Sequence, residues 1–111
     1  MTRLGEAISR LEAVIEARRG ASPDTSWTAR LLQDGAPRAA RKFGEEAVEA
    51  VVAAVSGDRE GLSAEAADVL YHLLVLLAAS GVSLDEVAVR LEAREGISGL
   101  EEKAARTPGS P

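Results

Sequence analysis

Five carboxylates on two helix-forming stretches carry most of the chemistry in this sequence: Glu45, Glu46 and Glu49 in the first, Glu65 and Asp68 in the second. At about 100° per residue, Glu46 and Glu49 lie about 60° apart on neighbouring turns, and Glu65 and Asp68 repeat that relation. The short Ser56–Leu62 connection favours antiparallel packing of the two helices through their Val and Leu faces, which lets the acidic pairs face each other. Like charges crowded in such a seam repel, more strongly when partly buried. A hard divalent cation removes that conflict, and carboxylate oxygens are the donors Mg2+ prefers. Mg2+ keeps waters and binds phosphate oxygens, so the matching substrate is a phosphate ester or anhydride, attacked by a metal-bound or carboxylate-activated water. A plain solvated acidic face gives the same spacing, because Glu is a good helix former.

The flanking residues bear on that choice. Arg38, Arg41 and Lys42 lie one to two turns before Glu45, and Lys42 is one of only two lysines among thirteen cations. A compact ammonium suits a phosphate beside a metal; equally, Lys42 could pair with Glu46 at i,i+4. Gly44 inside a helix points to close approach of another helix or a ligand. His72, the only histidine, could polarise a phosphate or orient a carboxylate, or serve as a structural hydrogen-bonding group. Trp27, Phe43 and Tyr71 fall beside the charged segments, where base stacking and core filling are the two readings, core filling being the commoner.

Helices must position these groups. Leu4, Ile8, Leu11 and Ile15 make one amphipathic stripe, which Arg18-Arg19-Gly20 ends. Asp24, Thr25 or Ser26 can cap a short helix through Gln33, stopped by Gly35. Pro37 fits the first turn of a longer helix whose apolar side carries Val48, Val51, Val52 and Val55. A second long helix is expected from roughly Ser63 to Ser80, and Ser83-Leu84-Asp85-Glu86 forms a capping box for a last one reaching about Arg94. The Val69–Gly81 run is shorter than a bilayer requires and reads as a buried helix. The sum is an all-α bundle of four or five helices forming one domain over residues 1–102, with 103–111 as a frayed tail.

Composition agrees. The 111 residues suit one domain, and a net charge of −5 argues against nucleic acid as a partner. With no cysteine, disulfides, thiol nucleophiles and zinc-thiolate sites are excluded. The N-terminus lacks a signal-peptide core, which makes the cytoplasm the expected location, away from membranes. Scarce aromatics imply an aliphatic core that pairing with a second copy would complete.

Glu45-Glu46-x-x-Glu49 followed by Glu65-x-x-Asp68 resembles the metal-binding signature of the all-α nucleoside triphosphate pyrophosphohydrolases, the MazG-like group. Three longer segments narrow the resemblance: Ser26-Trp27-Thr28-Ala29-Arg30-Leu31, Arg41-Lys42-Phe43-Gly44-Glu45-Glu46-Ala47-Val48-Glu49, and Glu65 through Leu77. They resemble the phosphoribosyl-ATP pyrophosphatase family, over roughly Leu4 to Arg94. Trp27 replaces the family's usual Tyr, Arg30 a frequent Lys, and Phe43 a usual Val.

The resemblance implies Mg2+-dependent hydrolysis of 1-(5-phosphoribosyl)-ATP between the α and β phosphates. The products are 1-(5-phosphoribosyl)-AMP and pyrophosphate, and the reaction is the second step of histidine synthesis. It implies Glu46, Glu49, Glu65 and Asp68 as metal ligands, with Glu45 a further ligand or the group that orients water. It also implies Arg30, Arg38, Arg41 and Lys42 as phosphate-holding cations, Lys42 acting at the reacting centre, and a homodimer with sites near the subunit contact. Tyr71 and His72 are further candidates. The rival expectations are a house-cleaning nucleoside triphosphate pyrophosphohydrolase and a non-catalytic helical dimerisation module.

Overall fold

The computed structural model describes residues 2–96, all of whose regular structure is helical. Five helices follow in order: α1 (Arg3–Ala17), α2 (Trp27–Asp34), α3 (Ala36–Val55), α4 (Arg59–Ala79) and α5 (Leu84–Ala93). The expected domain end at residue 102 and the tail from 103 lie outside the described residues.

Each boundary has a local cause. The Ser26 hydroxyl accepts the Ala29 N–H and starts α2, while Gly35 adopts φ 88° between α2 and α3, a conformation that a side chain would strain. Pro37 occupies the first turn of α3. The Ser83 hydroxyl and the Glu86 carboxylate form the expected reciprocal box at α5. That helix is also tied to α1, because the Glu12 carboxylate accepts the Leu84 N–H at 3.2 Å.

The start of α4 differs from the sequence expectation. The helix begins at Arg59, four residues before Ser63, because the Asp58 carboxylate accepts the Gly61 N–H at 2.9 Å and caps it. A side chain at 61 would run into that carboxylate, so Gly61 belongs to the first turn instead of marking a break.

The three-residue turn Ser56–Asp58 makes α3 and α4 antiparallel neighbours, and theirs is the most extensive helix contact in the fold. Ile15 of α1, Leu31 of α2, Ala39 of α3, and Leu74 and Val75 of α4 form the buried core. The face that α3 turns inward is not the valine face. Ala39 and Ala53 are buried, whereas Val48, Val51, Val52 and Val55 are 62%, 60%, 57% and 81% exposed. The centres of the two sets lie about 170° apart around the helix, and alanine lets two helix backbones approach more closely than valine does.

The Val69–Gly81 stretch is likewise less enclosed than expected. His72, Leu74 and Val75 are buried, but the neighbouring leucines are only partly covered. By length and composition α4 is apolar enough to cross a membrane. Glu65, Asp68 and the buried His72 on this helix are the groups a bilayer would penalise most, which favours a helix-packing role.

Candidate divalent-metal site

The α3–α4 hairpin gathers the acidic residues near its middle. One carboxylate oxygen from each of Glu46, Glu49 and Glu65 lies within 4.8 Å of the other two. Glu46 and Glu65 are half-buried and Glu49 is exposed, so the cluster opens to solvent on one side. Asp68, one turn further along α4, is exposed and stands outside this group. Glu45 is exposed beside the cluster, and its carboxylate takes the Lys42 ammonium at 3.2 Å. Lys42 therefore pairs at i,i+3 with Glu45, not at i,i+4 with Glu46.

The other cations divide into two kinds. Arg30 and Arg41 are exposed and form no ion pair among the described residues. Arg38 is engaged twice: its guanidinium donates to Asp34 at 2.5 Å and lies 5.3 Å from the centre of the Trp27 ring. Trp27 is 43% exposed, so core filling does not describe it.

Tyr71 is half-buried, with its hydroxyl 2.5 Å from the Thr28 hydroxyl, which pins the first turn of α2 to α4. This tie joins residues 43 positions apart and leaves no periodic signal in the sequence. His72 is 93% buried, with Nδ1–H donating to the Asp68 carbonyl at 2.8 Å and the Tyr71 ring edge-on at 4.8 Å. Among the described residues its Nε2 has no hydrogen-bond partner. A carbonyl can only accept, so Nδ1 carries a proton in this contact.

Glu65 is the least satisfied carboxylate of the three. Its Oε2 is buried with no hydrogen-bond partner among the described residues. Burial, and after it the Glu46 and Glu49 carboxyls alongside, push its pKa from 4.5 up to about 7. Three carboxyl groups converging on one point, with only a proton retained on Glu65 to share between them, form a set that a hard divalent cation satisfies once that proton is lost.

The sequence model of the phosphoribosyl-ATP pyrophosphohydrolase family matches residues 8–95, a span that includes the whole hairpin. This chain belongs to that family. It is similar to curated relatives named phosphoribosyl-ATP pyrophosphatase. The Dinoroseobacter shibae protein is 65% identical over 99 residues, 89% of this chain and 97% of the relative. A Cereibacter sphaeroides protein is 64% identical over 89% of this chain and 96% of its own length. The Rhodobacter capsulatus protein is 62% identical over 90% of this chain and 97% of its own length. Five helices without a strand among the described residues agree with the all-α architecture expected for this family.

The raised Glu65 pKa predicts that a divalent cation held by these carboxylates would bind in a pH-dependent way. A cation needs the ionised carboxylate, so below about pH 7 binding must expel a proton. The apparent Mg2+ affinity should climb by up to about tenfold per pH unit toward 7, then level off. Calorimetric Mg2+ titrations across that range check this, and a flat profile removes Glu65 from the binding group. The cation-free protein behaves oppositely. Between 4.5 and about 7 the folded chain holds a proton that the unfolded chain has lost, so stability from this group is complete below 4.5 and gone above about 7.

Proposed function

We propose that this chain hydrolyses 1-(5-phosphoribosyl)-ATP to 1-(5-phosphoribosyl)-AMP and pyrophosphate, the second step of histidine biosynthesis. The observation that carries the chemistry is the convergence of Glu46, Glu49 and the unpartnered Glu65 within the matched family span. In this reading the three residues hold Mg2+ with Asp68 completing the set, and Lys42, Arg41 and Arg30 hold phosphates. Arg38, whose charge Asp34 already offsets, ends the row of cations.

Water attacks phosphorus, the bond between the α-phosphorus and the bridging oxygen breaks, and pyrophosphate leaves with the electron pair. The bound cation supplies charge neutralisation on the phosphate oxygens and a more acidic water. Glu45 orients that water and takes its proton, and the Lys42 ammonium beside it offsets charge gathering on the departing pyrophosphate. His72, buried with Nδ1 on the Asp68 carbonyl of its own helix, and Tyr71, tied to Thr28 of α2, serve as positioning residues on the α4 side of the seam.

The same reading makes the chain a homodimer, acting in the cytoplasm on a soluble nucleotide without nucleic acid or membrane partners. The exposed valines of α3 support the dimer, as does Gly44, which lies on their side of the helix with open space where a side chain would be. A second helix can approach closely there.

The test is pyrophosphate release from phosphoribosyl-ATP with Mg2+ and with excess chelator. Metal-dependent release, with ATP and dUTP poor substrates, is the expected result. If phosphoribosyl-ATP were inert while another triphosphate was cleaved, the substrate assignment would fall.

A further inference from the structure

We infer that Trp27, backed by the Arg38 guanidinium, is a stacking platform for the purine base of the substrate. The inference rests on the phosphoribosyl-ATP reading above, because it assigns the base of that substrate.

The geometry starts from a large aromatic residue that is 43% exposed on a rigid mount. Ser26 caps the helix at Trp27, Thr28 is tied to Tyr71 of α4, and Ala29 and Leu31 are buried. The indole therefore cannot swing away with a loose loop. Arg38 lies 5.3 Å from the ring centre and is held there by Asp34. A guanidinium against one side of an indole withdraws charge from the ring and leaves the remaining surface for an electron-rich base.

Position along α3 supplies the second argument. Arg38, Lys42, Glu45 and Glu49 fall within about 60° of each other around the helix, forming one lane. Arg38 precedes Glu46 by eight residues, a rise of about 12 Å. That suits the reach of a nucleotide whose phosphates lie at the acidic cluster and Lys42 and whose base lies at Trp27. Arg38 then acts through the indole instead of on a phosphate, which agrees with its charge being offset by Asp34.

Trp27 is the chain's only tryptophan, so intrinsic fluorescence reports on it alone. With Mg2+ present, the product 1-(5-phosphoribosyl)-AMP should quench that fluorescence saturably, while pyrophosphate and ribose 5-phosphate, which lack the base, should not. Trp27→Ala should raise KM about tenfold and change kcat by less than about twofold, and Trp27→Tyr should restore most of the loss. Equal quenching by the base-free anions, no quenching at product concentrations that inhibit turnover, or an unchanged KM in a folded Trp27→Ala variant would each overturn the platform. If Trp27→Ala does not fold, wild-type quenching and the Trp27→Tyr kinetics decide. Quenching needs no turnover, so a wild type that fails to hydrolyse phosphoribosyl-ATP would sink the functional reading and leave the platform judged on fluorescence.

Discussion

Replacing Glu65 by Gln should abolish tight Mg2+ binding and lower turnover about a thousandfold, yet raise the thermal stability of the cation-free protein. The two effects have opposite signs because one carboxylate causes both. Glu65 brings a negative charge to a point where Glu46 and Glu49 already place oxygens, within 4.8 Å, and its Oε2 finds no donor. That arrangement opposes folding when the site has no cation and favours cation capture when one is available. Gln keeps the shape, removes the charge and brings an N–H2 that can donate to the neighbouring carboxylates. The several kcal/mol that a metal contributes to an anionic transition state corresponds to about three powers of ten in rate. Melting curves in chelator and in Mg2+, read beside kcat, test this directly. If the variant kept its Mg2+-induced rise in melting temperature, Glu65 would not be a ligand. If it melted lower than wild type in chelator, the crowding argument would be wrong.

The sequence is most legible where one residue type forces one conformation. Pro37, Gly35, the Ser83–Glu86 box and the stripe through Ile15 placed four of the helices to within a residue or two. The start of α4 lies four residues before the expected Ser63 because Gly61 has two meanings. A glycine commonly ends a helix, but here its bare Cα gives the Asp58 carboxylate room to cap one. The acidic seam was readable because i,i+3 carboxylate pairs on two joined helices have few ways to meet. Which of them converge was not readable. Glu46, Glu49 and Glu65 do so, while the exposed Asp68, one turn further on, stands outside that group by an amount that helix rotation decides and spacing does not. Trp27 and Arg38 meet only through the turn at Gly35, so their contact has no signature in either helix alone.

The inward face of α3 is the most instructive miss, and it leads to the second large effect. Hydropathy favours the valine side as the packing surface, yet the hairpin closes on alanines and leaves four valines in solvent. Fully burying one such side chain is worth about 1.5–3 kcal/mol, so a stripe of four on one rigid helix is a strong site for a second copy. Val52→Asp should therefore turn a dimer into a monomer. The substitution removes one valine's burial and asks a carboxylate to lose its water without a partner, which raises the dissociation constant by about a thousandfold or more. The fold of each chain should survive, because Val52 is 57% exposed and contributes little to the intrachain core. Light scattering gives the mass and far-ultraviolet dichroism the helix content of the same sample. A helical monomer is the expected outcome. A variant that remains dimeric with unchanged dissociation would move the interface to another face, such as the partly covered leucines of α4, and a wild type that is monomeric at micromolar concentration would remove it altogether.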